Sequence, residues 1–283
     1  MPEGDTVWLV ARHLDEALAG DVLARTDFRV PSLATTDLSG RRVLGCAARG
    51  KHVLLRLEGG LTLHSHLRMD GMWHLYPHGA RWTGGPDHQV RAVLSTAERD
   101  AVGYRLPVLE LVETAREDEV VGHLGPDLLD PGFDRDEALR RLAADPAREV
   151  GQALLDQSSV AGIGNLYRAE TLFLCRVSPW TPVGEVGDLG AVVDRARRLL
   201  EANKAHAPQS TTGDPRRGHE HWVYGRGGRP CRRCGTTIAV ASQGDPPYDR
   251  PSWWCPRCQP GPAPTSVRSP RRGRGARGAS TRS

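Results

Sequence analysis

The residues able to do chemistry begin at the start of the chain, in Met1-Pro-Glu-Gly-Asp-Thr-Val-Trp8. A proline behind the initiator methionine permits removal of that methionine, leaving a secondary amine beside the Glu3 carboxyl group. An α-amino group titrates near about 7.7–8.0 and a lysine near about 10.4, so a useful share of this amine is an uncharged nucleophile at neutral pH. Attack by a secondary amine on a sugar or aldehyde carbon gives an iminium, an electron sink of the Schiff-base kind. Glu3 is a proton donor or acceptor next to it. A Met-Pro start is also how many inert termini begin, so the rest of the chain has to decide.

Four further patterns bear on the chemistry. Cys231-Arg-Arg-Cys234 and Cys255-Pro-Arg-Cys258, with twenty residues between the pairs, have the spacing of a four-thiolate structural zinc site. Such a set folds its module and leaves no open position for catalysis; one Zn2+ per chain is expected. Gly50-Lys51-His52 puts a lysine at a strand entrance. It is one of only two lysines, with Lys204, among 38 basic residues, so its retention suggests a use beyond a solvated edge charge. Gly162-Ile-Gly-Asn165 precedes a helical segment, where glycines and the positive helix end suit a phosphate; an ordinary helix–turn–helix connection has the same look. Leu67-Arg-Met-Asp-Gly71 carries an apolar Met69 at a turn tip, either a wedge between bases or a methionine tucked under its loop. His64 and His66 share a strand face and read as polar-network residues.

Elements must hold these groups. Gly4 to Ala19 reads as a helix, with Val7, Val10, Leu14 and Leu18 at helical spacing, Asp5 or Thr6 as cap and Gly20 as the stop. The positive end of that helix disfavours the ammonium form of the nearby amine, but it also favours ionised Glu3, which opposes an acid role. Short alternating runs follow: Val22–Val30, Arg41–Ala48, His52–Leu57, Leu61–His66, Met72–Tyr76, His88–Ser95 and Val108–Val112. They predict an antiparallel sandwich or barrel. Beyond His123-Leu-Gly-Pro126 the period turns helical over Asp134–Ala143, Val150–Gln157, Leu166–Leu174 and Leu189–Asn203. Thr236–Ala241 and Ser252–Trp254 read as hairpin arms between the cysteine pairs. Pro260–Ser283 is rich in Pro, Gly, Ser and Arg without acids and reads as a disordered basic tail. The expected class is α+β multidomain: 1–125 an N-terminal antiparallel β-sandwich with a leading helix, 126–223 a helical domain, 224–259 the zinc finger and 260–283 the tail.

The net charge is +4 over 283 residues. No run of about 18 apolar residues and no basic-then-apolar leader occurs, so a cytoplasmic protein without a membrane partner is expected. Cys46 and Cys175 read as buried packing residues.

In order, from residue 1 to about 259, these pieces resemble the formamidopyrimidine-DNA glycosylase / endonuclease VIII (Fpg/Nei) family, closer to the endonuclease VIII branch. Pro2-Glu3-Gly4 is similar to the family's mature N-terminus and Arg49-Gly-Lys51 to its lysine motif. His66-Leu-Arg-Met69-Asp-Gly71 is similar to the loop that fills the gap left by an extruded base. Gln157 to Tyr167 is similar to its helix–two-turn–helix element, and Arg250 stands where the family has its finger arginine. The resemblance implies a bifunctional DNA repair glycosylase and abasic-site lyase acting on damaged double- or single-stranded DNA as a monomer, on the nucleoid when bound. Pro2, Glu3 and Lys51 would be catalytic. Met69, Asn165 and Arg250 would bind DNA, with Arg105 or Leu106 assisting Met69. Oxidised pyrimidines are favoured, from Gly4 and the short Thr212–His221 connection. Oxidised purines, or a non-catalytic binder of damaged DNA on the same scaffold, are the alternatives. The family's usual Pro-Glu after the third mature residue is replaced by Asp5-Thr6, which leaves the proton relay around Pro2 open.

Overall fold

A computed structural model describes residues 2–214 and 216–264. The basic tail assigned to disorder lies outside the described residues from position 265 onward.

Helix α1 (Gly4–Leu18) buries Val7, Ala11, Leu14 and Leu18, the stripe that helical spacing requires. Gly20, at φ +90°, follows its end as expected. Neither Asp5 nor Thr6 caps its start: the N-cap residue is Glu3, with no side-chain cap bond. Eight strands then run in order: β1 (Arg25–Phe28), β2 (Val43–Arg49), β3 (His52–Leu57), β4 (Leu61–His66), β5 (Met72–Pro77), β6 (Val90–Ser95), β7 (Arg99–Tyr104) and β8 (Val108–Glu113). They form two four-stranded antiparallel sheets, β1-β6-β7-β5 and β2-β3-β4-β8. The apolar core lies between them and against α1, which covers the side where β2 and β5 are edges.

Strand β7 is absent from the sequence expectation although it sits inside its sheet. Arg99-Asp100 at its start and Gly103 near its end break the alternation of a half-exposed strand. It is buried from Asp100 onward, and the Asp100 carboxylate accepts from His78 Nδ1 at 3.0 Å.

The second sheet sorts its residues by face. Val53, Leu55 and Leu57 of β3 join the core, while His52, Leu54 and Arg56 point outward, in register with His66, His64 and Thr62 of β4. On that outer face Leu54 packs with Val121, Leu124 and Ala161, joining the sandwich to the helices that follow.

Those helices are α2 (Asp118–Val121), α3 (Arg135–Leu142), α4 (Val150–Ala153), α5 (Asn165–Cys175) and α6 (Leu189–Asn203). Asp134 caps α3, accepting from the Glu137 amide at 2.9 Å. Helix α4 stops four residues before the expected Gln157, because the chain there folds into turns; the Asp156 carboxylate accepts from the Ser158 amide at 3.0 Å. A second core surrounds α5 and α6. After α6 comes a hairpin, β9 (Ala239–Gln243) and β10 (Arg250–Trp254), whose arms are shifted from the expected ones. Around it Val223, Cys231, Ile238 and Cys255 cluster with Ala169 and Phe173 of α5. Among the described residues no helix is long and apolar enough to cross a membrane.

Candidate active site

Glu3 is fully buried, yet its carboxylate is satisfied. It accepts from three backbone amides at the start of α5: Gly164 at 2.8 Å, Leu166 at 2.7 Å and Tyr167 at 3.2 Å. The Gly4 amide donates to the Gly162 carbonyl at 2.9 Å. Two glycines make this approach possible. A Cβ on Gly164 would lie 2.4 Å from Glu3 Cδ, and one on Gly4 would lie 2.9 Å from Gly162 Cα. Of the Gly162-Ile-Gly-Asn turn, expected to offer its amides to a phosphate, the Gly164 amide donates instead to the protein's own Glu3 carboxylate, joined by the amides of Leu166 and Tyr167 in α5. The helix dipole favours an anion there in either case.

Lys51 comes in from the other side. Gly50, at φ +57°, makes the turn, and its amide donates to Asp127 Oδ2 at 2.6 Å. Lys51 Nζ then donates to the Ile163 carbonyl at 2.5 Å. Burial pushes the Glu3 pKa above the usual carboxylate range, with Lys51 and the Leu166 and Tyr167 amides working against it. Burial likewise pulls Lys51 below the usual lysine range, offset by Glu3. Both shifts bring the acid and the ammonium closer in strength, which lowers the cost of moving a proton within the site.

Pro2, Glu3 and Lys51 line one cleft of about 640 Å³, and Met69, Asn165 and Arg250 line the same cleft. Met69 is 62 % exposed at its loop tip, so it is not tucked underneath. Arg105 braces that loop, donating through Nε to the Asp70 carbonyl at 3.1 Å, whereas Leu106 is buried in the sandwich core. Asn165 Nδ2 and Arg168 Nη2 each donate to the Pro251 carbonyl at 3.0 Å. These bonds fix the finger strand beside Arg250 against the start of α5. Gly244–Asp249 form the hairpin tip, and Arg250 pairs directly with Gln243.

Several lining residues have no counterpart in the sequence expectation. His52, His123 and Gln157 face the cleft, as does Tyr248, which is 79 % exposed. Gln157 closes the glycine turn, accepting from the Gly162 amide at 3.1 Å and donating to the Ile163 carbonyl at 3.0 Å. Asp5, at the departure from the family pattern, is buried. It accepts from Tyr167 Oη at 2.5 Å and from Gln209 Nε2 at 2.8 Å, so its carboxylate ties α1 to α5 and to the segment after α6. An aromatic in a Pro-Asp turn and a histidine beside Lys51 were the only sequence signals available for Tyr248 and His52.

The four finger cysteines converge. Their sulfurs all lie within 4.8 Å of one another, with Cys231–Cys258 at 4.0 Å and Cys234–Cys255 at 3.4 Å. Tetrahedral thiolates about 2.3 Å from a zinc ion stand roughly 3.8 Å apart, so the set fits a bound metal ion of that type.

Residues 1–105 match the formamidopyrimidine-DNA glycosylase N-terminal domain family, and residues 124–206 match the formamidopyrimidine-DNA glycosylase H2TH domain family. The chain is 59 % identical to a probable endonuclease 8 2 of Streptomyces coelicolor over 93 % of this chain and 96 % of that one. It is 46 % identical to the DNA-(apurinic or apyrimidinic site) lyase Nei2 of Mycolicibacterium smegmatis, over 92 % of this chain and 99 % of that one. In three dimensions it superposes on Lactococcus lactis formamidopyrimidine-DNA glycosylase bound to DNA containing an abasic site. The TM-score is 0.77 at 23 % identity, covering 92 % of this chain and all of that one. With its fold, its convergent N-terminal site and these relatives, the chain belongs to the formamidopyrimidine-DNA glycosylase / endonuclease VIII family, on its endonuclease VIII-like branch.

Proposed function

We propose that this protein is a bifunctional DNA glycosylase and abasic-site lyase, with Pro2 as nucleophile. The observation that carries the proposal is the meeting of Pro2, Glu3 and Lys51 at the floor of one cleft whose walls bear Met69, Asn165 and Arg250. In this reading a damaged base is flipped out of the stack. The Pro2 lone pair attacks C1′, the glycosidic bond breaks toward the base, and opening of the sugar ring leaves an iminium. That cation acidifies the C2′–H bond; its loss expels the 3′-phosphate, and a second elimination releases the 5′-phosphate. Glu3 exchanges protons around the opened sugar through the one acceptor position its amides leave free. Lys51 holds a phosphate beside the lesion, Asn165 and Arg250 hold its neighbours, and Met69 fills the vacated stack.

The domain reading of 1–125, 126–223 and 224–259 goes with this assignment, as does one structural Zn2+ on Cys231, Cys234, Cys255 and Cys258. The metal's part is to fold the finger that carries Arg250; no bond in the reaction is broken on it. Oxidised pyrimidines are the favoured substrates, supported by the likeness to endonuclease 8 proteins. The His66-Leu-Arg-Met69 loop supports oxidised purines as the second reading.

Borohydride trapping on an oligonucleotide with a single lesion tests the chemistry. A covalent adduct is expected with the wild type and none with Pro2→Gly. Tight binding without any adduct would leave a non-catalytic damage binder. Paired oligonucleotides bearing an oxidised pyrimidine or an oxidised purine decide the preference. Chelation that removes one zinc per chain is expected to abolish DNA binding while leaving the sandwich core folded.

A further inference from the structure

The outer face of the second sheet carries a hydrogen-bonded line that the reaction as described does not use. His52 stands in the cleft beside Lys51. Its Nδ1 lies 2.8 Å from His64 Nε2, and the two rings stack with centroids 4.9 Å apart. His64 is 2 % exposed, and its Nδ1 lies 2.7 Å from Glu110 Oε1. Glu110 belongs to β8, the edge strand of its sheet, and its side chain is 45 % exposed. The line therefore starts in the cleft, passes through a buried imidazole and ends at a carboxylate open to water.

Its direction follows from hydrogen-bond chemistry. An ionised Glu110 can only accept, so His64 carries its proton on Nδ1. With its single proton on Nδ1, the His64 ring accepts at Nε2 from His52 Nδ1, 2.8 Å away. His52 Nε2 is left with a bare lone pair and no partner among the described residues. The surroundings keep His52 an acceptor: Lys51, His64, His66 and His123 all face it, and with burial as the leading cause they hold its pKa down at about 3. His66 meets it edge-on at 4.8 Å, and the Nδ1 of His66 accepts from the Arg68 amide at 2.9 Å. Farther along the same face Arg56 is paired with Glu117 at 2.7 Å, leaving Glu110 as the outlet of the line.

We propose that His52, His64 and Glu110 form a proton exit from the lyase cleft, His52 being its entry and His64 and Glu110 positioning residues. The proposal rests on the lyase reading given above. In β-elimination the C2′–H bond breaks, its electron pair forms the new double bond, and the C3′–O bond breaks with its pair going to the phosphate. The reaction thus deposits one proton in a cleft that bound DNA covers. A proton arriving at His52 Nε2 lets the Nδ1 proton of His52 pass to His64 Nε2. The Nδ1 proton of His64 then passes to Glu110 and on to solvent. No oxidant or other reactant is needed, and the line is reset when His52 and His64 return to their first tautomers.

The test is single-turnover cleavage of an abasic-site duplex by the full-length, zinc-loaded protein. His64→Gln is expected to slow strand cleavage about tenfold and Glu110→Gln about threefold, with DNA affinity and final borohydride-trapped yield unchanged. Added imidazole buffer should restore much of the rate in His64→Gln and leave the wild type unaffected. Wild-type rates in both variants would overturn the proposal. So would a slowing that buffer does not relieve and that parallels lost DNA affinity or a lowered melting temperature, because that marks a packing network. Should His64→Gln not fold, Glu110→Gln carries the same test from an exposed position. Failure of wild-type trapping would instead remove the lyase reading itself.

Discussion

Helix α5 carries a buried carboxylate nest at its start and another along its length, and the two differ in one respect. At the start, Glu3 of the N-terminal segment accepts from three amides, two on Oε2 and one on Oε1. Along the helix, Glu170 accepts from the amides of Trp222, Val223 and Tyr224, each at 2.8 Å, and from Thr211 Oγ1. A carboxylate offers about four acceptor positions. Glu170 uses all of them, two on each oxygen, and so it closes the turn that leads into the finger. Glu3 uses three and keeps one on Oε1, in a cleft shared with Pro2 and Lys51. Both residues are wholly buried, so burial alone does not separate the carboxylate proposed to react from a structural one. The unfilled acceptor position and the neighbouring cation do.

The same substitution at both positions gives the largest contrast. Glu3→Gln keeps the shape but removes the charge and the proton-exchanging oxygen; cleavage is expected to fall by about 10²- to 10⁴-fold with most DNA affinity retained. Glu170→Gln turns an amide N–H toward backbone donors, and a lost buried partner costs about 1–3 kcal/mol. Its expected signature is a lowered denaturation midpoint, with cleavage per folded molecule within about threefold of wild type on this account of its role. Single-turnover assays alongside urea titrations measure both. A hundredfold loss of cleavage in folded Glu170→Gln would break the distinction.

What the sequence reveals about the site depends on how local the chemistry is. Pro2-Glu3, Arg49-Gly-Lys51 and the two Cys-x-x-Cys pairs are contiguous, and each is readable because its members are bound by spacing. The partners of Glu3 are not: they lie at 164, 166 and 167, and nothing in Gly162-Ile-Gly-Asn165 shows whether its amides await a phosphate or a carboxylate. The shared strand face marks His64 as a polar-network residue but does not name its partner, because Glu110 reaches it only through the β4–β8 register. Asp5 reads as a helix cap by its position, but tertiary contact with Gln209 and Tyr167 takes its oxygens. In the fold, α1 was legible because its apolar stripe recurs at helical spacing, and β3 and β4 because Gly50-Lys51 and Glu58-Gly-Gly60 bound their apolar runs. Strand β7 was not, since a strand buried on both sides loses the period that would mark it.

Gly164 offers a gentler way to disturb the same nest. The Cβ of Gly164→Ala would fall 2.4 Å from Glu3 Cδ, so the carboxylate must move away from the amides. Displacement of a reacting group by about 1 Å costs on the order of 10²-fold, and a loss of that size is expected with normal zinc content. An alanine variant that cleaves at the wild-type rate would mean that the position of the Glu3 carboxylate is not what the reaction needs.

The smallest effect is a dependence of stability on pH, and its sign separates the Glu3 contribution from its background. Burial raises the Glu3 pKa above the ordinary carboxylate value of 4.5. As pH falls from neutral, the folded protein therefore takes up this proton before the unfolded chain does, and the penalty for burying the charge is relieved. The cleft histidines work in the opposite direction. His52 and His66 are held down at about 3 and about 4, chiefly by burial, against an ordinary 6.5. Their contribution is fully present above pH 6.5 and is lost on acidification. Because Glu3→Gln leaves the histidines in place, they largely cancel in the difference between wild type and variant. The stability advantage of wild type over Glu3→Gln should therefore grow as pH falls from 7 toward 4.5. Urea titrations of the two proteins across that range measure it. A difference that stays flat would mean that Glu3 titrates in the fold as it does in water, and the contrast with Glu170 would then rest on acceptor geometry alone.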